Sequence, residues 1–161
     1  MLDIRFYLLT HEREIRRETS SSVPVRQALG ESCATIIWKR REPNIEIECT
    51  LSPCDTVLVY PTDDQPLVED IQPIGNFILL EGTWQEARKI YNRSPYLRRF
   101  PVLRIGTENG SAYRLRRNQK DGGLCTAETV IEILRLKGQF KFAESLFERF
   151  VSFQDVRGKS D

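Results

Sequence analysis

Mainly apolar runs of four to six residues alternate along the chain with polar segments that carry helix signals. Such runs predict buried strands, and they fall at residues 4–9, 34–38, 57–60, 77–80 and 102–105. Caps and helical spacing predict helices at residues 22–29, 63–71, 83–91, 126–136 and 140–151, with a short helical turn from 94. This alternation indicates an α/β fold whose mostly parallel sheet has helices on both faces. We expect one domain over residues 1–161.

Residues 45–49 and the last helix have distinct hydrophobic patterns. Residues 45–49 alternate apolar with acidic side chains, which favours an edge strand or a hairpin arm. The last helix carries an apolar stripe near helical spacing, and we expect this stripe to pack in the core. Its members are Phe140, Ala143, Leu146, Phe147, Phe150 and Val151. The polar tail at 155–161 is expected to be frayed.

The stretch from Asn76 to Tyr91 is typical of a strand, a tight turn and a helix N-terminus. Glu81 and Gly82 end the apolar run, and Thr83 and Glu86 have the spacing of a capping box. Ligands of open α/β sheets bind at the carboxyl ends of the strands, where free helix amides favour anionic groups. A carboxylate, a glycine and a tryptophan in this turn therefore indicate a candidate site. A capped helix with a packing tryptophan would explain the same residues.

The composition favours a soluble globular protein, with 40% hydrophobic and 29% charged residues. No apolar run approaches the roughly 18 residues of a membrane span, and the N-terminus lacks signal-peptide features, so we expect a cytoplasmic protein. The four cysteines have no CxxC spacing and the chain has one histidine. We therefore expect reduced thiols and no metal site.

Charge is unevenly distributed along the chain. Residues 42–70 contain eight acids and no Lys or Arg, whereas residues 88–117 contain nine Lys or Arg and one acid. Tyr91, Tyr96 and Tyr113 are interleaved with the basic block. This pattern favours an RNA-binding face, and the alternative is a solvated surface balanced by the acidic half. The loop at 106–124 is also too long to be a simple connector.

Several segments, in order, resemble the signature of the DTW-domain family. LLEGTWQEARKIYNRSP is similar to its Asp-Gly-Thr-Trp followed by a basic helix, and VLVYPTDD to its Tyr-Pro segment. LLTHEREIRRETSS resembles the N-terminal His-Pro-x-Glu segment, and AYRLRR and LCTAET resemble the Tyr-Arg-x-Arg and Ser-Thr-x-Glu-Ala segments. The chain departs from the family at Glu12 (Pro), Glu81 (Asp), Cys125 (Ser) and Thr129 (Ala). It also lacks the cysteine cluster of many bacterial members.

The resemblance implies a SPOUT-like fold in which a C-terminal loop threads a trefoil knot and binds S-adenosylmethionine. It further implies transfer of a 3-amino-3-carboxypropyl group to a uridine of tRNA, with release of methylthioadenosine. The protein would mainly position the reactants. A monomer or weak homodimer, with no membrane partner, is the expected state.

Roles follow from the place of each residue in these segments. Glu81 is the candidate general base for the uridine N3 proton, or it caps its own turn. Glu128 would hold the cofactor's ammonium or stabilise a helix N-terminus, and His11 is expected to be structural. Residues expected at the cofactor are Thr19, Ser20, Tyr60, Pro61, Leu79, Leu80, Gly82, Thr83, Trp84, Tyr113, Leu115, Thr126 and Glu128. Residues expected at RNA phosphates are Arg16, Arg17, Arg88, Arg114, Arg116 and Arg117.

Three other functions are compatible with the sequence. A SPOUT-type RNA methyltransferase would use the same cofactor but present its methyl group. A non-catalytic RNA-binding protein would carry Glu81 as the mark of a decayed site. A protein that interacts without RNA is least consistent with the basic block. No nucleophile elbow, P-loop or dinucleotide fingerprint is present in the sequence.

Overall fold

The computed structural model describes residues 2–14, 20–62, 65–68, 70–105 and 125–158. The chain divides into two compact units. The first unit comprises Met1–Arg16 and Ser32–Arg104, and the second comprises Arg17–Glu31 and Ile105–Asp161. The sheet belongs to the first unit, and three of the four α-helices in the described residues belong to the second.

The first unit is built on a five-stranded sheet in which every pairing is parallel. The strand order is β2-β1-β4-β3-β5, which confirms the predicted α/β class and parallel sheet. The strands are β1 (Arg5–Thr10), β2 (Cys33–Ile37), β3 (Thr56–Val59), β4 (Asn76–Glu81) and β5 (Val102–Leu103). All five overlap predicted strands, and no boundary differs by more than two residues.

Helix α2 (Trp84–Asn92) covers part of one face of this sheet. Ile90 and Tyr91 of α2 pack in one buried cluster with Leu9, Leu58 and Ile78 of the strands. Burial of these apolar side chains is the main favourable contribution to folding of this layer. The expectation that helices cover both faces of the sheet stays a prediction.

Residues 45–49 are not a strand, so that prediction is wrong. Glu46–Thr50 forms a single π-helical turn, and Ile47 is fully buried. The Ile47 N–H donates to the Asn44 side chain (3.0 Å). Arg99, in the helical turn Pro95–Arg99, donates to the carbonyls of Ile47 (3.1 Å), Leu51 (2.6 Å) and Glu48. These donors satisfy carbonyls that a strand partner would otherwise bind.

The helix predicted at 63–71 is also wrong for the residues that are described there. Val102 donates its N–H to the Pro66 carbonyl and accepts from the Val68 N–H, both at 2.9 Å. Leu67 thereby makes a parallel bridge to Val102. Buried Gln65 donates to the Phe100 carbonyl (2.7 Å) and accepts from the Tyr91 hydroxyl (2.6 Å). These tertiary hydrogen bonds outweigh the helix-start signal of the acids and proline.

The second unit contains α1 (Ser22–Leu29), α3 (Thr126–Leu136) and α4 (Phe140–Gly158), which pack against one another. The three predicted helices are confirmed, but the N-cap of α3 is Cys125 and not Thr126. The Ala127 N–H donates to the Ser21 hydroxyl (3.1 Å), which ties the start of α3 to the start of α1. Helix α4 continues through part of the tail that was expected to fray.

The apolar stripe of α4 is only partly a core stripe. Its inner members are buried, namely Ala143, Leu146 and Phe150. Its outer members, Phe140, Phe147 and Val151, are 66%, 47% and 40% exposed. The expectation that the whole stripe packs inside is therefore wrong, because the stripe is wider than the surface that α1 and α3 offer it.

Candidate active site

The carboxyl ends of β1 and β4 bring Thr10 and Glu81 side by side. The two residues are register partners in the parallel sheet, and each is 1% exposed. The Thr10 hydroxyl donates to Glu81 Oε2 at 2.9 Å. Neighbouring parallel strands lie about 4.8 Å apart, so the pairing alone places these polar groups within reach. A buried carboxyl group is thus held at the sheet edge where α/β proteins bind ligands.

The Thr10 hydroxyl also lies 2.9 Å from the Leu8 carbonyl oxygen. A hydroxyl carries one proton, so it donates to only one of these two acceptors at a time. When Glu81 is ionised, it competes with Leu8 for that proton. When Glu81 is protonated, its own O–H can donate to Thr10 while Thr10 donates to Leu8. The pair is therefore able to accommodate both protonation states of Glu81.

Gly82 follows Glu81 with a φ of +145°, a conformation that side chains rarely adopt. A Cβ on this residue would lie 2.8 Å from the Cβ of Glu86. The site thus requires glycine both for its backbone and for the close approach of α2. This explains in physical terms why a glycine separates the strand from the helix.

The capping box predicted at the start of α2 is confirmed. The Glu86 N–H donates to the Thr83 hydroxyl (3.2 Å), and the Thr83 N–H donates to Glu86 Oε1 (2.9 Å). The turn is thus capped by Glu86, and the described hydrogen bond of the Glu81 carboxyl group goes to Thr10 on the next strand. Because the box uses two amides, these two are not open to an anionic ligand.

His11 directly follows β1 at the carboxyl edge of the sheet and is 6% exposed. Its backbone N–H donates to the Glu81 backbone carbonyl (3.1 Å), and its ring Nδ1 accepts from the Arg13 backbone N–H (3.2 Å). Its Nδ1 also lies 3.8 Å from Glu86 Oε2, and the ring stacks on Trp38 with centroids 5.9 Å apart. The hydrogen bonding agrees with a structural role, and the ring lies against Trp38 and near Glu86.

On the other side of β4, Tyr60 and Pro61 follow β3 at the same edge of the sheet. Tyr60 is half-buried and stacks on Tyr91, with ring centroids 4.6 Å apart. Burial raises the pKa of the Tyr60 hydroxyl above its usual value, and the nearby Arg88 guanidinium opposes this shift. Arg88 itself is exposed on α2. Because β3 and β4 are parallel, the turns that follow them lie at one edge of the sheet.

The remaining described candidates of the first unit differ in exposure. Leu79 is 4% exposed and belongs to the core, whereas Trp84 is 40% exposed. Leu80, Gly82 and Thr83 are partly exposed, and Pro61 is exposed. Among these candidates, Trp84 and Pro61 are the most exposed side chains in the turns after β4 and β3.

The described candidates of the second unit are Ser20, Thr126 and Glu128. Glu128 Oε1 accepts from the Cys125 N–H at 3.2 Å, which favours the stabilisation of the α3 N-terminus among its two predicted roles. The hydroxyl oxygens of Ser20 and Ser22 lie 2.8 Å apart. Burial, with a smaller effect of Glu128, raises the pKa of the Cys125 thiol to about 12. This thiol is therefore uncharged at neutral pH and is not a nucleophile.

Other predicted residues lie outside the described part of the chain. They are Arg16, Arg17, Thr19, Tyr113, Arg114, Leu115, Arg116 and Arg117, together with the predicted knot loop at 106–124. Within the described residues, no three His, Cys, Asp or Glu side chains form a group that could hold a metal. No helix in those same residues is long and apolar enough to cross a membrane.

Sequence reasoning did not assign site roles to Thr10, Trp38 and Glu86, and it treated His11 as structural. Thr10 and His11 stand in the segment LLTHERE, which contributed to the family resemblance. That resemblance is the signal that could have found them. Trp38 follows β2, and its place beside His11 depends on the pairing of β1 with β2.

The chain matches the model of the DTW domain over residues 1–157. It is 28% identical over 134 residues to tRNA-uridine aminocarboxypropyltransferase 2 of Drosophila melanogaster. This match covers 79% of the chain and 53% of the relative, so the chain spans about half the length of the curated relative it matches. No solved structure matches the chain. Because the domain model covers the chain from residue 1 to residue 157, the protein belongs to the DTW domain family.

Proposed function

We propose that this protein transfers the 3-amino-3-carboxypropyl group of S-adenosylmethionine to a uridine of tRNA. Support comes from its family and from the activity for which its Drosophila melanogaster relative is named. The observation that carries the proposal is the buried Thr10–Glu81 pair at the carboxyl edge of a parallel sheet. A SPOUT-like fold with a knotted cofactor loop is part of the same proposal.

The described residues at the carboxyl ends of β3 and β4 are compatible with an adenosine-containing cofactor. Trp84 is 40% exposed, and Leu80 and Tyr60 are partly exposed at the same sheet edge. Aromatic and aliphatic side chains are what an adenine packs against in a cofactor pocket. These three residues would hold the adenine, with Pro61, Gly82 and Thr83 contributing from their turns.

When bound, the cofactor supplies an electrophilic methylene carbon next to its sulfonium, which the uridine N3 attacks as methylthioadenosine leaves. The N3 proton must then pass to a base. Glu81 is the proposed acceptor, because it is the carboxyl group at this edge that a neighbouring hydroxyl already orients. Since Glu81 is 1% exposed, the uridine has to displace the groups that now cover it.

The Thr10 hydroxyl has a matching role in this scheme. It donates to the ionised Glu81 before the reaction, and it accepts from Glu81 once the carboxyl group carries the N3 proton. The Thr10 hydroxyl then donates its own proton to the Leu8 carbonyl, which is equally close. Thr10 is therefore a positioning residue that satisfies Glu81 in both states without a change of backbone.

Mass spectrometry of nucleosides from tRNA incubated with the protein and S-adenosylmethionine tests this function. We expect uridine that carries a 3-amino-3-carboxypropyl group. A methyl adduct would assign the protein to the RNA methyltransferases instead. Unmodified tRNA that nevertheless binds the protein would support a non-catalytic RNA-binding role. The matched control is the Glu81→Gln variant, assayed with the same tRNA and cofactor.

A further inference from the structure

Helix α2 and the helical turn Pro95–Arg99 carry an excess of positive charge. Residues 82–105 contain six Lys or Arg and one acid, Glu86. Glu86 is 8% exposed and is engaged in the capping box, so it adds little negative charge to the surface. Within the described residues, four exposed cations of these two elements have side chains that make neither an ion pair nor a hydrogen bond. They form the basic face, and they are Arg88, Lys89, Arg93 and Arg98.

The helical repeat of α2 places two of these cations on its solvent side. Lys89 and Arg93 are four residues apart, which is about one helical turn or roughly 6 Å along the axis. Ile90 and Tyr91 lie on the opposite side of the helix and are buried in the core of the first unit. Arg93 ends the helix, where its backbone N–H donates to the Lys89 carbonyl at 3.1 Å. Both cations therefore project into solvent from a regular, packed element.

The other two cations lie beside a stacked pair of tyrosines. The Arg98 Cζ lies 5.4 Å from the centre of the Tyr91 ring, and Tyr91 stacks on Tyr60 with ring centroids 4.6 Å apart. Burial raises the pKa of the Tyr60 hydroxyl, and the nearby Arg88 guanidinium opposes this shift. Tyr91 is 3% exposed, and its hydroxyl donates to buried Gln65 at 2.6 Å. The tyrosine pair thus supports the two arginines, and Tyr91 offers no open ring to a base.

Other residues of the same basic block are engaged in the fold. Arg99 donates to three carbonyls of the segment 47–51, so its guanidinium is already bound. Tyr96 is half-buried, and the Ser94 side chain and the Asn44 backbone hydrogen-bond with its hydroxyl. The structure therefore engages the interleaved tyrosines and one arginine within the protein. It leaves the four cations of the basic face to solvent.

A surface of cations without open tyrosine rings fits a particular form of RNA. Single-stranded RNA gains much of its sequence-independent affinity by stacking its bases on aromatic side chains. Double-stranded RNA is recognised mostly by its shape and through its phosphates and 2′-hydroxyls. A duplex also holds its phosphates in fixed positions, whereas a single strand pays an entropic cost to align them with a rigid surface. The basic face therefore suits a base-paired stem.

The basic face begins close to the candidate active site. Helix α2 starts at Trp84, three residues after Glu81, at the carboxyl edge of the sheet. Trp84 is the exposed aromatic residue of α2, and Arg88 follows it by about one helical turn. Lys89 and Arg93 lie further along the helix. A stem that lies along α2 can thus place the unpaired nucleotides beyond its end at the carboxyl edge.

We propose that the basic face binds a base-paired stem of the RNA substrate through its phosphates, independently of base sequence. The proposal rests on RNA being the substrate, as in the proposed function. It goes beyond that function because it assigns the docking of the RNA to α2 and the turn Pro95–Arg99. It also states which form of RNA they recognise.

Two probes with the same number of phosphates test this surface: a short RNA duplex and a single-stranded RNA that forms no base pairs. We expect Lys89→Ala combined with Arg93→Ala to weaken duplex binding roughly tenfold or more at low salt, because lost phosphate contacts no longer release counterions. The salt dependence of duplex binding should flatten by about one unit of slope per lost contact. Binding of the single strand should change much less. A second duplex with permuted base pairs should bind the wild-type protein as tightly as the first.

Two double variants serve as matched controls. Lys89→Arg combined with Arg93→Lys retains both charges and should keep the duplex affinity. Lys141→Ala combined with Arg149→Ala removes two exposed cations from α4 and should bind like the wild-type protein. An unchanged salt slope after loss of Lys89 and Arg93 would overturn the basic face. Equal losses for duplex and single strand, or a marked preference between the two duplexes, would overturn the assignment of a stem.

Failure of the basic face can be separated from failure of the proposed function. Duplex binding needs neither cofactor nor turnover, whereas nucleoside mass spectrometry reports only the transfer reaction. A protein that modifies tRNA but binds the duplex without Lys89 and Arg93 keeps its function and loses the basic face. A protein that binds the duplex through these residues but modifies no tRNA keeps the basic face and loses the function.

Discussion

The Thr10 hydroxyl and the Glu81 carboxyl group meet at 2.9 Å although 71 positions separate them in the sequence. Both are buried at the ends of adjacent parallel strands. A carboxyl group in such a place is costly unless it is hydrogen-bonded. The contact therefore links the stability of this sheet edge to the chemistry proposed for it.

Replacing Glu81 tests its role as the base. Glu81→Gln is nearly isosteric, so it should keep the fold and cofactor binding while turnover falls by roughly 100-fold or more. Glu81→Asp restores the residue that the family resemblance leads one to expect. If the active site is adapted to Glu81, turnover by the Glu81→Asp variant should be lower than by the wild-type protein, because the shorter side chain withdraws the carboxyl group by one methylene. Turnover per tRNA is the measurement, and equal rates for Glu, Gln and Asp would remove Glu81 from the chemistry.

Thr10→Val should leave Glu81 with one hydrogen-bond donor fewer at almost unchanged volume. We expect a loss of about 1–3 kcal/mol in the free energy of unfolding, the usual cost when a buried polar group loses its partner. Thr10→Ser retains the hydroxyl and is the matched control, which should recover most of that loss. Urea denaturation measures both variants. A Thr10→Val protein as stable as Thr10→Ser would show that the contact contributes little.

Gly82→Ala should be more destabilising than an ordinary glycine replacement. Its φ of +145° is unfavourable for alanine, and the new Cβ would lie 2.8 Å from the Glu86 Cβ. We expect a loss of about 1–3 kcal/mol, the scale of local backbone strain. Gly75→Ala is the control, since nothing lies within 4 Å of a Cβ there and its φ is ordinary. Thermal unfolding of the two variants in parallel gives the comparison.

The Cys125 thiol should make stability fall at alkaline pH. Its folded-state pKa of about 12 is raised from 9.0, mainly by burial. Because the folded-state value is the higher one, the stabilising contribution is complete below pH 9 and is lost as the pH rises toward 12. The urea midpoint of the wild-type protein should therefore fall more steeply between pH 8.5 and 10.5 than that of Cys125→Ser. Tyr60 and Tyr96, whose pKa values are also raised, are present in both proteins and cancel in the comparison.

Binding of S-adenosylmethionine should stabilise the protein without added metal. Ligand at 100 times its dissociation constant adds about 2.7 kcal/mol to the free energy of unfolding. The melting temperature should rise with S-adenosylmethionine and with methylthioadenosine, and Trp84→Ala should reduce the shift. No shift at saturating ligand would contradict the proposed cofactor.

Affinity for tRNA should decrease steeply with salt, because phosphate contacts release counterions. Changing Arg116 and Arg117 together to Ala should flatten this dependence by about one unit of slope per lost contact. The stabilisation by S-adenosylmethionine should remain. Arg149→Ala, an exposed change on α4, is the control. An unaltered slope in the double variant would place the RNA-binding face elsewhere.

Local signals were sufficient for much of this structure. The sequence predicts the strand ending at Glu81, the glycine after it and the Thr83–Glu86 capping box. Each of these predictions uses residues within a few positions of each other. The helices α1 and α3 were predicted from caps and periodicity in the same way. These features form where the sequence predicts them because their hydrogen bonds and steric limits join neighbours along the chain.

Only the tertiary structure decided which segments meet. The strand order places Thr10 beside Glu81. Residues 66–68 pair with the backbone of Val102 and do not form the predicted helix. Arg99 binds carbonyls of the helical turn Glu46–Thr50, where a strand was predicted. Apolar patterning specifies that a strand is buried, but it does not name the neighbour that buries it. Partner choice depends on the packing and hydrogen bonds of residues far apart in sequence, and the contact between Thr10 and Glu81 exists only as a result of that choice.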